Sequence, residues 1–345
     1  MELDPPIFEH EHWMRRCLLL AKRGWGKVSP NPMVGSVLVR DGRALAEGWH
    51  DVFGGPHAER MLFDGWDDGS DLSDCILYVS LEPCSHFGKT PPCANLILEK
   101  GVGTVVVGVL DPNPKVSGRG VALLREAGIE VVVGVLEDEC RQLNWSFWIN
   151  QRLGRAAVMA KWAETSDGFM GSGTSDRVKI SGEEAGAWVM EQRQGMDAIL
   201  VGVNTWNLDR PQLTVRGIVD GVEGRGLKQP IRLVMDRNQR GDYDSMNLAE
   251  NVGPLLILDG SRDILGWLTW LYEVRGVGVL MVEGGAQVLE AFFAVDCVDQ
   301  VHLLRNETVV LETGVKSPQI PEGMALERVE DIGGDAHWVW ERELF

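Results

Sequence analysis

His57-Ala58-Glu59 and, further on, Leu81-Glu82-Pro83-Cys84-Ser85-His86-Phe87-Gly88-Lys89-Thr90-Pro91-Pro92-Cys93 are the stretches around which the chain is read. One imidazole and two thiols form a ligand set that Zn²⁺ favours. Three protein ligands leave a fourth tetrahedral position open, as catalytic zinc sites do, and zinc lowers the pKa of water held there. Glu59, two residues past the imidazole, stands where a proton shuttle is needed. His-x-Glu followed by Pro-Cys and a second Cys is the zinc-deaminase signature, in which the carboxylate is a general acid/base and not a ligand. A structural zinc site is the competing reading, with His86 as a fourth donor, but it leaves Glu59 and the Pro91-Pro92 turn without a role.

The flanking sequence places these residues at helix starts beside strand ends. Glu11 to Gly24 carries Met14, Cys17, Leu18 and Ala21 at helical spacing. Ser29-Pro30-Asn31-Pro32 is a turn, Met33 to Val39 a strand, Asp41-Gly42 a hairpin turn and Ala44 to Trp49 the returning strand. Pro56 suits the start of a helix near His57. Cys75 to Leu81 is a strand leading into Cys84, and Pro91-Pro92 opens a helix from Cys93 to Lys100 that Gly101 ends. Val102 to Leu110, Val121 to Ala127 and Ile129 to Leu136 continue as strand, helix, strand, which predicts a three-layer α/β domain. Asn31, His50, His86, Lys89, Asp111 and Asn113 fall in loops, where substrate pockets concentrate, although Asn31 and Asn113, each inside a Pro-Asn-Pro, also read as turn-formers.

At 345 residues the chain exceeds one typical core, and two domains are expected, 1–150 and 151–345. With 44% apolar and 24% charged residues it has the composition of a soluble globular protein. No apolar run has the length of a membrane span, and Met1 to His12 lacks the basic and apolar regions of a signal peptide, so no membrane association and a cytoplasmic location are expected. Six cysteines do not form a disulfide scaffold at this length, and Cys17, Cys75, Cys140 and Cys297 read as buried thiols. A net charge of −18 argues against a nucleic-acid partner and requires that any ligand phosphate be met by a local Arg/Lys cluster.

Glu137 to Gly154 reads as helix and linker, with Trp145, Phe147 and Trp148 packing between domains. Strand-like runs follow at Ala156 to Ala163, Ala198 to Val203, Pro230 to Met235, Leu255 to Leu258, Val277 to Val282 and Val298 to Leu304. Ser181-Gly182-Glu183-Glu184 predicts a capping box for a helix running to Gln194. Val282-Glu283-Gly284-Gly285 is a strand end turning into a helix, where glycines serve either phosphate approach or steric fit.

Eight residues separate Cys84 from Cys93 where the short-spaced deaminases have two. The Ser-His-x-Gly-Lys-Thr-Pro-Pro insert resembles the bifunctional deaminase/reductase family of riboflavin biosynthesis. So do Pro30-Asn31-Pro32, Gly48-Trp49-His50 and Asp111-Pro112-Asn113-Pro114 in the first half. In the second half the likeness lies in Lys161 to Gly168 and Asp197 to Thr205, then Asp209, Pro211, Leu213-Thr214 and Arg216. The resemblance implies a cytidine-deaminase-like three-layer α/β/α domain followed by a dihydrofolate-reductase-like α/β domain. It implies Zn²⁺ on His57, Cys84 and Cys93, with Glu59 catalytic. Asn31, His50, His86, Lys89, Asp111 and Asn113 would line the deaminase pocket. Lys161, Arg193, Leu213, Arg216 and Glu283 would bind a phosphoribosyl pyrimidine in the reductase, and Ala163, Lys179, Thr205, Asp209 and Gly285 its NADPH. The implied reactions are hydrolytic deamination of a phosphoribosylamino-pyrimidinone, then reduction of its ribosyl group to ribityl, in a homo-oligomer. Lys179-Ile180-Ser181 stands where many relatives have Trp-Ile-Thr, and Asp209-Arg210-Pro211 where many have Asp-Asp-Pro; either cation suits a 2′-phosphate. After about Phe293 the likeness thins. Three other readings remain: a deaminase whose second domain only binds ligand, a nucleic-acid-editing deaminase, which the net charge and the long cysteine spacing oppose, and a non-catalytic zinc-stabilised module.

Overall fold

Asp41 and Gly42 both take positive φ, 50° and 66°, and turn β1 (Gly35–Arg40) back into β2 (Arg43–Trp49), as their sequence predicts. The computed structural model describes residues 7–65, 69–85, 91–174, 178–219, 222–223, 227–243 and 252–342. They fall into two units, Met1–Leu153 and Gly154–Phe345.

In the first unit, α1 (Ile7–Ala21) and a short 3₁₀ turn (Lys22–Gly24) precede the hairpin, followed by α2 (Ala58–Asp64), β3 (Ile76–Leu81), α3 (Cys93–Lys100), β4 (Thr104–Val109), α4 (Arg119–Glu126), β5 (Glu130–Val133), α5 (Glu137–Leu143) and α6 (Trp145–Leu153). The sheet order is β2-β1-β3-β4-β5, antiparallel at β2-β1-β3 and parallel at β3-β4-β5. Its strands are apolar at successive positions because both faces are covered. Leu38, Leu77, Val79, Val105 and Val107 pack on one side with Leu62 and Phe63 of α2, Ile97 of α3 and Leu124 of α4. Val37, Val39, Tyr78 and Val106 face the other way, onto Met14, Cys17 and Leu20 of α1 and Cys140 and Trp148 of α5 and α6. This period-two partition makes the three layers. Phe147 and Trp148 thus belong to the first unit's own core, a correction to the linker reading, because α5 and α6 are needed to cover that face.

The second unit runs β6 (Ala157–Thr165), β7 (Phe169–Gly171), α7 (Glu183–Gly195), β8 (Ala198–Gly202), α8 (Val203–Asp209), β9 (Ile218–Val219), β10 (Val222–Glu223), β11 (Ile231–Met235), β12 (Leu255–Leu258), α9 (Ile264–Arg275), β13 (Val279–Val282), α10 (Ala286–Ala294), β14 (Gln300–Asn306), β15 (Val315–Lys316), β16 (Met324–Ile332) and β17 (Asp335–Arg342). The main sheet has the order β12-β11-β8-β13-β6-β14-β17-β16, parallel through β14 and closed by the antiparallel β17 and β16. Two small ribbons, β9-β10 and β7-β15, complete it. Leu268 and Leu271 of α9 and Leu289 and Phe292 of α10 cover the face carrying Val158, Ala160, Leu200, Leu233 and Leu280. The chain after Phe293, where the resemblance thins, still supplies three strands of the main sheet, β14, β16 and β17, and β14 pairs with β6 from Gln300–Met159 to Asn306–Thr165.

The predicted capping box does not form. Gly182 is the N-cap of α7 and no side chain caps it; the Gly182 N–H instead donates to Asp335 Oδ2 at 2.7 Å. A partner more than a hundred residues away has replaced the local one. At the start of β6, the Arg155 guanidinium meets Asp299 at 2.8 and 2.7 Å, and Asp299 also accepts the Val158 N–H at 2.8 Å. Both side chains are buried, 8% and 1% exposed. Removing one partner of such a pair strands the other charge. Asp299→Ala is expected to destabilise the second unit by about 3–5 kcal/mol in urea titration, and Arg155→Met/Asp299→Leu by less than the single change. An Asp299→Ala cost within error of zero would refute that role for the pair.

Candidate functional site

His57 is the N-cap of α2, with extended backbone (φ −71°, ψ 164°), and Glu59 lies in the first turn. Cys84 follows the end of β3, and Cys93 is the first residue of α3 after Pro92. The three ligand atoms converge: His57 Nδ1 is 3.6 Å from Cys84 Sγ and 3.4 Å from Cys93 Sγ. Tetrahedral zinc with bonds of about 2.05 Å to nitrogen and 2.3 Å to sulfur requires N···S separations of about 3.5 Å. The group therefore fits Zn²⁺. Among the described residues no fourth His, Cys, Asp or Glu joins it; His86, the donor of the structural reading, lies outside the described residues, as does Lys89.

Local electrostatics prepare the group for a cation. The Cys93 N–H at the start of α3 donates to Cys84 Sγ at 3.3 Å. Hydrogen bonding from the Cys93 thiol and from His57 draws Cys84 down to about 4, while Cys93, its buried partner, is pushed up. Glu59 is 3% exposed. Burial, with the Cys84 sulfur beside it, raises its carboxyl to about 7.

His50 stands next to this group, its ring 5.8 Å from that of His57 and edge-on to it. Its Nδ1 is 2.8 Å from the Pro56 carbonyl oxygen, which can only accept, so Nδ1 carries the proton and Nε2 is left to accept from Asn31 Nδ2 at 3.1 Å. Burial lowers the His50 pKa and keeps the ring neutral. Asn31 and His50 are thus brought to the metal ligands. Asp111 and Asn113 spend hydrogen bonds on their own loop: Asp111 Oδ1 accepts the Asn113 N–H at 2.8 Å, and Asn113 Oδ1 accepts the Lys115 N–H at 3.0 Å. The turn-forming reading holds for Asn113.

Glu82 lies in the motif directly ahead of Pro83 and Cys84. Its carboxylate, 6% exposed, accepts four backbone N–H groups: Asp111 at 3.0 Å, Gly118 at 2.9 Å, Gly120 at 2.8 Å and Val121 at 3.3 Å. It ties the loop after β4 and the start of α4 to the strand end that carries Cys84. Gly120 must be glycine for this, since a Cβ there would sit 2.1 Å from the Pro83 carbonyl oxygen. A buried Glu one residue ahead of Pro-Cys could have been suspected, but its four partners are remote in sequence.

In the second unit a cavity of about 860 Å³ opens at the C-terminal ends of the parallel strands, where open α/β sheets bind ligands. Lys161 and Ala163 of β6, Thr205 and Asp209 of α8, Glu283 after β13 and Gly285, the N-cap of α10, line it. At one end Arg193 meets Glu283 in a two-pronged ion pair at 2.7 and 2.6 Å and also donates to the Thr214 carbonyl oxygen at 3.0 Å. Burial raises the Glu283 carboxyl, but Arg193 and then Lys161 and Arg216 outweigh it and hold the group at about 2. Burial lowers the Lys161 ammonium. Leu213, 1% exposed with φ 52°, packs beside Thr214. Gly284 answers the question its sequence left open: a Cβ there would meet Val288 Cβ at 2.9 Å, so steric fit alone requires it. Lys179 stands outside the wall, to which its neighbours Val178 and Ile180 contribute, and Arg210 pairs with Asp242 at 2.8 Å. Two cavity residues the sequence did not single out are Arg237 and Arg240, on the turn after β11.

This geometry agrees with what known proteins share with the chain. Residues 8–109 match the cytidine and deoxycytidylate deaminase zinc-binding region, and residues 156–324 match the RibD C-terminal domain. A riboflavin biosynthesis protein RibD of Aquifex aeolicus is 34% identical over 94% of this chain and 96% of its own length. That of Actinobacillus pleuropneumoniae is 44% identical over 67% of this chain, a match spanning 59% of that protein. The Thermotoga maritima diaminohydroxyphosphoribosylaminopyrimidine deaminase/5-amino-6-(5-phosphoribosylamino)uracil reductase is 34% identical and superposes with a TM-score of 0.83 over 97% of this chain and 99% of its own. With both family regions matched in order and identity sustained almost end to end, the chain belongs to the RibD family of bifunctional riboflavin biosynthesis proteins, a zinc-binding deaminase followed by an NADPH-dependent reductase.

Proposed function

We propose that the first unit deaminates diaminohydroxyphosphoribosylaminopyrimidine and that the second reduces the resulting 5-amino-6-(5-phosphoribosylamino)uracil, the reactions for which the Thermotoga relative is named. The observation that carries this reading is the His57, Cys84 and Cys93 triangle, sized for zinc, with Glu59 in the same helical turn. Zinc, when bound, supplies a Lewis acid that activates water near neutral pH. Glu59 takes the water proton, holds it on its carboxyl and delivers it to the departing amine, which leaves as ammonia. Asn31, oriented by His50, holds the pyrimidine edge. His86 and Lys89 lie outside the described residues; the family resemblance implies that they serve the same substrate, Lys89 its phosphate. Asp111 and Asn113 shape its loop.

In the reductase, Lys161, Arg193 and Arg216 meet the substrate phosphoribosyl group, and Glu283 fixes the Arg193 fork. NADPH, when bound, supplies the hydride, and the protein contributes position and charge. α8 and α10 both begin in the cavity wall, after the N-caps Gly202 and Gly285, and their N-terminal ends suit its pyrophosphate. Ala163, Thr205, Asp209 and Gly285 shape the surrounding wall. The partner is a small molecule; the net charge of −18 weighs against nucleic acid. Among the described residues no helix is long and apolar enough to cross a membrane, which accords with a cytoplasmic role. A homo-oligomer is favoured by β16, the last strand of its sheet, where Leu326 and Val329 are 50% and 49% exposed beside Trp340 and Trp338.

Chelator dialysis tests the division of labour: ammonia release should stop, and NADPH consumption on the deaminated substrate should persist. Loss of both, or of neither, contradicts it. Glu59→Gln should slow ammonia release by about 10²–10⁴-fold with zinc still near one per chain; an active variant would exclude Glu59 as the shuttle. Glu283 is held below its unfolded value of 4.5, at about 2, so its stabilisation is present above the unfolded value and lost as pH falls through the folded one. Glu283→Gln should flatten the acid limb of the second unit's stability between those two pH values. An unchanged limb in acid melts would show that the Arg193 pair does not carry it.

A further inference from the structure

We propose that Asn144 is a positioning residue of the deaminase: its side chain clamps Met33 and thereby holds Asn31 at the metal ligands. The proposal rests on the reading of the first unit as the deaminase, with Asn31 at the pyrimidine edge.

Asn31 stands between two residues that cannot donate a backbone hydrogen bond, Pro30 and Pro32. Its own N–H turns back to the Val28 carbonyl oxygen at 2.9 Å, and its side-chain Nδ2 reaches His50 at 3.1 Å. The strand β1 begins only at Gly35. A segment so poor in backbone donors needs an anchor from elsewhere, and Asn144 supplies it from more than a hundred residues away. The Met33 N–H donates to Asn144 Oδ1 at 2.8 Å, and Asn144 Nδ2 donates to the Met33 carbonyl oxygen at 2.9 Å. One residue on, the Val34 carbonyl oxygen accepts the His50 N–H at 2.9 Å. Asn31 and its partner His50 are thus fixed to one frame. A side chain that pairs both backbone groups of one residue must carry a donor and an acceptor side by side, which among side chains of this reach asparagine alone provides.

Asn144 is itself fixed, at the corner where α5 ends and α6 begins. It is 3% exposed, its N–H donates to the Arg141 carbonyl oxygen at 3.1 Å, and its carbonyl oxygen accepts the Trp148 N–H at 3.2 Å. Cys140 and Trp148, on either side of it in sequence, pack into the sheet core. Beside the clamp, Met33 packs with Ala21 and Val28 against Trp25 and Leu143. Two helical turns further on, Gln151 Oε1 accepts Asn113 Nδ2 at 3.3 Å. Side chains from both ends of α6 therefore hold the two Pro-Asn-Pro turns. The corner that covers the sheet face also sets where Asn31 stands.

Steady-state kinetics of the zinc-loaded full-length protein test this, with NADPH consumption on the deaminated substrate as a control within the same chain. Asn144→Leu removes both bonds at nearly constant volume. Binding lost equally from substrate and transition state raises KM and spares kcat. KM for deamination should rise about ten- to a hundred-fold with kcat changed less than about threefold, zinc near one per chain and NADPH consumption at the parent rate. Asn144→Asp keeps the acceptor, loses the donor and should give a smaller rise in KM; it decides the case should Asn144→Leu not fold. Asn31→Ala/Asn144→Leu should be no worse than Asn31→Ala, because both changes remove one contact. Failure of both Asn144 variants to fold would overturn the proposal. So would a parent KM, a loss of zinc or a loss of NADPH consumption in a folded variant, or effects that multiply in the double variant. If Asn31→Ala itself leaves KM unchanged, the assignment of Asn31 to the pyrimidine fails, and if the parent protein releases no ammonia, the reading of the unit fails.

Discussion

The Glu82 carboxylate holds the first unit's site in place. A buried carboxylate is costly unless its oxygens are fully hydrogen-bonded, and here four backbone N–H groups satisfy them. Those donors come from the loop after β4 and the first turn of α4, so one side chain binds three chain segments at the point where β3 runs into Cys84. The ligand triangle inherits that rigidity. His57 and Cys93 arrive on helix starts, Cys84 on a strand end, and the separations that zinc needs follow from how firmly these ends are joined.

The second unit gathers its groups differently. Parallel strands bring Lys161, Gly202, Met235 and Glu283 to one edge, because every crossover returns the chain to the same end of the sheet. The overall acidity of the chain is offset there by local cations, and the Arg193–Glu283 pair uses a carboxylate to aim a guanidinium. An ion pair shielded from water, with a carbonyl oxygen taking a further donor, acts as a positioning device more than as a source of stability.

Much of this was legible in the sequence, for physical reasons. Gly101 takes αL conformation at the end of α3, Asp41-Gly42 closes a hairpin, and Pro92 precedes Cys93 at a helix start: short-range chemistry, visible from a few residues. The β12 run Leu255–Leu258 coincides with its strand, since a strand of a parallel sheet reads as a short bare apolar run. What stayed hidden depends on distant partners. Ser181 looked like a cap, but Asp335 satisfies the helix start instead. Glu82 looked like an ordinary motif residue until its four donors came together. Trp148 looked like a linker residue because nothing local reveals which face α6 must cover. Arg237 and Arg240 sit in a polar turn like many others, and only the strand order brings them to the cavity. Lys179 and Arg210 suit a 2′-phosphate by charge type, and charge type alone says nothing about where a side chain ends up.

The Arg155–Asp299 lock has a consequence for how this sequence can vary. It fastens β6 to β14 at their shared beginning, and from there side chains alternate between the sheet's faces up to Lys161 and Ala163. Inserting or deleting a single residue between Arg155 and Lys161 would turn the ammonium to the opposite face and bring an apolar neighbour into its place. Length changes between the lock and the cavity would therefore disarm the reductase even where the fold survived. Insertions and deletions in natural relatives should accordingly collect in the loops beyond the strand ends.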